Sequence, residues 1–124
     1  MNGNVQPSDQ ELNDAKDRLE RAKKQLHEAE RCWDEDDFIE ALKKKKPKEK
    51  QKAFDLKLEI GTTLLKIENA QIALVVSRVK ENSQQLDSAI TDLGDALQTL
   101  TDVTRILKAI GALLSIASKI LAFL

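Results

Sequence analysis

From Ala53 to Leu124 the chain reads AFDLKLEIGTTLLKIENAQIALVVSRVKENSQQLDSAITDLGDALQTLTDVTRILKAIGALLSIASKILAFL, with no proline. Every seventh residue in it is a large aliphatic: Leu58, Leu65, Ile72, Val79, Leu86, Leu93, Leu100, Leu107, Leu114 and Leu121. A seven-residue repeat keeps one stripe of an α-helix turned toward a neighbour, because seven residues make almost two full turns. The position three further on is weaker, and its polar members, Glu68 and Asn82, fall before residue 83. This stretch predicts long helices packed along a seam. A straight helix over all of it would be about 108 Å long, out of proportion to a small domain. The polar run Lys80-Glu81-Asn82-Ser83-Gln84-Gln85 interrupts the apolar face. Propensity leaves open whether the chain turns or continues at Asn82; a turn there gives a compact bundle.

Upstream, Ser8-x-x-Glu11 has the spacing of a capping box, with Pro7 just outside it and Asp9 and Glu11 suited to the positive end of the helix dipole. Leu12, Ala15, Leu19, Ala22, Leu26, Ala29 and Trp33 then recur in steps of three and four. Alternating leucine with alanine lets a neighbouring helix come close. The acidic run Asp34-Glu35-Asp36-Asp37 suits either a kink or a fresh helix N-terminus. Seven lysines around Pro47 (Lys43, Lys44, Lys45, Lys46, Lys48, Lys50 and Lys52) read as an exposed basic turn.

These signals predict an all-α fold: an antiparallel helical hairpin or three-helix bundle with heptad coiled-coil packing and a C-terminal amphipathic, apolar helix. The expected helices cover about 8–45, 49–80 and 84–124, with a basic turn over 43–52. Residues 1–7 are expected to be disordered, and 8–124 to form one domain. The composition agrees. Aromatics are 3% of the 124 residues and Tyr is absent, whereas β-rich domains draw on aromatic and β-branched residues. Twenty basic against 21 acidic side chains leave a net charge of -1, so no global field favours nucleic acid.

Groupings that carry catalysis are sparse. The one His, His27, and the one Cys, Cys32, stand about 140° apart on a helix, too far round to serve one substrate or metal. The Asp34–Asp37 run lacks the alternating ligands, glycine and terminal Glu of a calcium loop. Gly61, Gly94 and Gly111 are isolated within helical patterns and form no phosphate-binding loop. The expectation is a non-enzyme without cofactor or metal. The lysine cluster suits anionic headgroups, each Lys near such a surface contributing about 1 kcal/mol; as a plain solubilising loop it needs no ligand at all.

The most informative segment is Ile106–Leu124, ILKAIGALLSIASKILAFL, charged only at Lys108 and Lys119. At about 28 Å it matches the thickness of a bilayer's hydrocarbon core. Its wide face carries Ile106, Leu107, Ile110, Leu113, Leu114, Ala117, Ile120, Leu121 and Leu124. A narrow stripe carries Thr101, Thr104, Lys108, Gly111, Ser115, Ser118 and Lys119. In a soluble bundle the wide face is core and the stripe meets water. On a bilayer the helix lies in the headgroup plane, and in a ring of copies it spans lipid with the stripe lining a pore.

The stretch Leu113-Leu114-Ser115-Ile116-Ala117-Ser118-Lys119-Ile120, after a long polar helical hairpin, resembles the membrane-active helices of α-helical pore-forming toxins and fungal necrosis-inducing bundles. That resemblance covers about 20 residues and implies a bundle that releases an apolar helix, oligomerises and permeabilises lipid. In those families the membrane segment is often internal or N-terminal, and most are longer chains. The leading expectation is therefore a membrane-binding or pore-forming protein whose C-terminal helix inserts into a lipid bilayer as a homo-oligomer. The competing expectation is a soluble coiled-coil adaptor or assembly subunit that buries the same helix against a helical partner or itself. No standard secretion signal is read at residues 1–7, which suggests a protein that is cytoplasmic while soluble and membrane-associated or released when active.

Overall fold

The structure, a computed structural model, describes residues 6–122. Most of the expected disordered N-terminus and Leu124 of the expected lipid-facing set lie outside the described residues. Among the described residues six α-helices pack round one core: α1 (Asp9–Glu30), α2 (Asp36–Lys43), α3 (Pro47–Glu68), α4 (Ile72–Glu81), α5 (Ser83–Ala96) and α6 (Val103–Ile120). One 3-10 turn, Arg31–Asp34, joins α1 to α2, and there is no strand among the described residues.

Each of the three expected helices is divided in two, and local chemistry explains where. The capping box is present: the Ser8 hydroxyl accepts from the Glu11 amide at 3.1 Å, and the Ser8 amide donates to the Glu11 carboxylate at 3.1 Å. That amide bond, and the hydroxyl with it, hold the Glu11 carboxyl below its ordinary range. At the far end, Glu35 adopts extended backbone (φ -99°, ψ 127°) and N-caps α2, placing Asp36 and Asp37 in a first turn where the dipole favours them. Trp33 meets Phe38 edge-on across this corner, ring centres 5.0 Å apart, and Phe38 is fully buried.

Between α3 and α4 the Asn69 side-chain amide donates at 2.9 Å to the Leu65 carbonyl, which also accepts from the Asn69 backbone amide at 3.1 Å, so one residue closes the helix end twice. Between α5 and α6 the Asp102 carboxylate accepts from the Arg105 amide at 3.2 Å and caps α6. At Asn82 the chain turns back along α1, since Ile72 borders Lys16 and Glu20, Lys80 meets Glu11, and Asp87 meets Arg18. Helical bonds pass through it, from the Asn82 amide to the Arg78 carbonyl at 3.1 Å and from the Leu86 amide to the Asn82 carbonyl at 2.8 Å.

The basic turn is shorter than expected. Only Lys44–Lys46 lie outside helix; Pro47 starts α3, where its missing N–H is no loss, so Lys48, Lys50 and Lys52 are helical. The seam is also corrected within α3. Leu58 and Leu65 are 58% and 61% exposed, and the buried side is Ala53, Leu56, Ile60, Thr63, Leu64 and Ile67. A heptad phase holds only along an unbroken helix, and the interruption after Glu68 resets it. From Val79 onward the predicted seam is buried, with Leu100 partly so.

Three contacts orient α1. Glu11 meets Lys80 at 3.6 Å, Arg18 meets Asp87 at 3.1 Å, and Gln25 abuts Gly94. Asp87 and Gly94 advance along α5 as Arg18 and Gln25 advance along α1, so these two helices run parallel, whereas α4 runs against α1, Ile72 bordering Lys16 and Glu20 while Lys80 meets Glu11. Ala15, Ala22 and Ala29 are buried, which keeps α1 close to its neighbours. Helix α6 is the centre of the assembly and touches every other α-helix.

Candidate functional site

Helix α6 has the two faces that the sequence predicts. Ile106, Leu107, Ile110, Leu113, Leu114, Ala117, Ile120 and Leu121 are all buried, none more than 3% exposed. Thr104, Lys108, Ser115, Ser118 and Lys119 are exposed along the helix, Gly111 is half-buried, and Thr101 is exposed in the turn before it. The expected lipid-facing residues are brought together, but as the core of the bundle. Burying each large aliphatic stabilises by roughly 1.5–3 kcal/mol, which explains why the most apolar helix takes the central place. Arg78 also donates to the Lys119 carbonyl at 3.1 Å, fastening the last turn of α6 to α4. Among the described residues no helix is long and apolar enough to cross a membrane.

Six of the seven lysines of the basic cluster are exposed. Lys45 is half-buried and donates to the Thr104 hydroxyl at 2.9 Å, tying the turn to the start of α6. His27 stands 3.9 Å from Glu30 on the surface. Cys32 is buried, and that burial, with the nearby Glu35 and Glu28 carboxylates, pushes its thiol up to about 11. Among the described residues no three His, Cys, Asp or Glu side chains could hold a metal ion together. A cleft of about 410 Å³ between the first turns of α1 and the last turns of α4 is lined in part by Glu11, Arg18 and Lys80. Their charges already face one another or Asp87.

What the sequence reading missed lies on the outside of α3. Phe54, Leu58 and Leu65 are 55%, 58% and 61% exposed. At 100° per residue they share, with Gly61, about 60° of arc, and they run about 17 Å along the helix. Scattered exposed leucines need no explanation, but three large apolar side chains on one stripe resemble a contact surface. Lys50, Lys57 and Glu68 form one shoulder of this stripe; Gln51, Thr62 and Asn69 form the other. The signal was available: in α3 two apolar registers compete, and only one can face the core. The ten-member repeat drew attention to the register that faces outward.

Comparison of the chain with known protein families, curated proteins and solved structures returned no match.

Proposed function

We propose that this chain is a non-enzymatic adaptor or assembly subunit that docks through the outer face of α3, with α6 as its internal post. One observation carries the reading: Phe54, Leu58 and Leu65 stand exposed in a row, while the apolar face of α6 is already covered by the chain's own helices. Coiled-coil packing of helix on helix belongs to the same proposal, supported by the seven-residue spacing of the Arg18 and Gln25 contacts. A photo-crosslinking residue at position 58 tests the docking face. It is expected to trap a protein where one placed at exposed Ser115 does not; equal trapping at both, or none at either, defeats the reading.

A second reading, lipid-triggered release of α6 with oligomeric insertion, keeps one observation in its favour. The apolar face of the helix that lipid would solvate best is covered by amphipathic helices that could open round it. The lysines from Lys43 to Lys52 would then meet anionic headgroups. Spin labels at exposed Asp17 and Ala112 report such opening: their separation lengthens on adding anionic vesicles if α6 leaves the bundle. An unchanged distance at saturating lipid counts against release.

A further inference from the structure

We infer that the occupant of the α3 stripe is a second copy of this chain, its α3 lying antiparallel to the first about a twofold axis. The inference rests on the docking reading above and names the partner. Its first support is Gly61. A glycine inside a helix costs about 1 kcal/mol relative to alanine, yet a Cβ at this position would meet nothing within 4 Å of its own chain. Nothing in the fold requires the missing side chain, and the notch it leaves lies between exposed Leu58 and Leu65. Gly111 is equally open, but it stands among Lys108 and Ser115 in a polar stripe and makes no notch in an apolar one.

The second support is register. An antiparallel pairing that sets Phe54 against the partner's Leu65 also sets Leu58 over the partner's Gly61, and the twofold repeats both contacts. A knob thus faces a hole at each step, as close helix packing requires. A parallel pairing would bring the two glycines face to face across a gap.

The third support is charge. Lys50 and Glu68 lie on one shoulder, eighteen residues apart, which is five full turns, so they point the same way at opposite ends of the stripe. The same antiparallel register brings Lys50 opposite the partner's Glu68, again twice. On the other shoulder Gln51 and Asn69, also eighteen apart, come opposite each other as two carboxamides. Lys50 has no ion pair among the described residues, and Glu68 has Lys23 at 3.5 Å, both partly exposed. An anionic bilayer is a poorer occupant, because Glu68 stands beside the Leu65 end of the stripe and would be pressed against like charge.

Sedimentation equilibrium of the full chain from about 1 to 200 µM tests the pairing. The expected result is a reversible dimer that becomes monomer in Leu58→Glu/Leu65→Glu with an unchanged far-ultraviolet spectrum. Lys50→Glu, which sets like charges opposite each other twice, is expected to weaken it about tenfold, and adding Glu68→Lys to restore it. Gly61→Leu fills the notch and is expected to weaken the dimer while leaving the dilute monomer as stable or more so. A chain that is monomeric throughout, or a dimer indifferent to these variants, overturns the inference. So does a monomer that floats with phosphatidylserine vesicles through Leu58 and Leu65. The docking reading beneath it falls as well only if the crosslinker at position 58 also traps no other protein.

Discussion

The replacement Leu113→Ala measures how firmly α6 holds the bundle. Leu113 is fully buried near the middle of α6, so truncating it removes three carbons from a site with no access to solvent. Comparable buried leucines cost about 2.7–5 kcal/mol on truncation to alanine, the transfer term plus the cavity left behind. A chain of this length has an unfolding entropy of roughly 260 cal/mol/K, from about 2.1 cal/mol/K per residue. The thermal midpoint should therefore fall by about 10–19 °C. The same truncation at Leu58, more than half exposed, should stay within about 0.5 kcal/mol, a shift of about 2 °C. Circular dichroism at 222 nm during heating, with urea titration for the free energies, reads both in dilute protein where dimerisation is absent. If Leu113→Ala moves the midpoint no further than Leu58→Ala does, α6 is not the interior post and the ordering of the whole fold is wrong.

Three other outcomes follow from local geometry. Ser8→Ala should cost about 1 kcal/mol by uncapping α1, and because the folded Glu11 carboxyl titrates below its ordinary 4.5, the capping contribution is complete above that pH and fades as acid protonates Glu11; Glu11→Gln should flatten this acid limb in urea titrations across pH. Cys32, whose thiol is raised from 9.0 to about 11, favours the folded state fully below pH 9 and progressively less as pH climbs through 11, so Cys32→Ala should remove part of the alkaline loss of stability, and native Cys32 should react with a disulfide reagent far more slowly than in urea. Arg18 grips Asp87 with two bonds, at 3.1 and 3.3 Å, on partly exposed side chains, and Arg21 stands 3.7 Å from the same carboxylate; a double-mutant cycle of Arg18 and Asp87 to alanine should give a coupling of about 0.5–1 kcal/mol, shrinking in high salt, and a zero coupling would mean that this pair does not help to hold α1 to α5.

Much of the fold was legible because its strongest signals are local. Ser8 and Glu11 announce α1 by chemistry that acts within three residues. The two faces of α6 follow from the spacing of Ile106, Ile110, Leu113, Leu114 and Ala117, the very residues it buries. What escaped were phase and partnership. The division at Arg31–Glu35 needed Glu35 to leave helical backbone, which the acidic run suggested without requiring. In α3 the contest between Leu56, Ile60 and Leu64 on one side and Phe54, Leu58 and Leu65 on the other is decided by which side meets α1 and α6. That is a tertiary fact, invisible to a count of sevens. The candidate docking stripe was hidden for the same reason, since its leucines had been assigned to the interior.

The order in which the helices occur along the chain has a consequence for synthesis. The helix against which all five others rest is the last of the six to leave the ribosome. Until it emerges, α1 to α5 can pair among themselves, as α1 does with α4 and α5, but each still shows water an apolar side meant for α6. The nascent chain thus passes through a stage rich in uncovered leucine and isoleucine, the kind of surface that holding chaperones recognise.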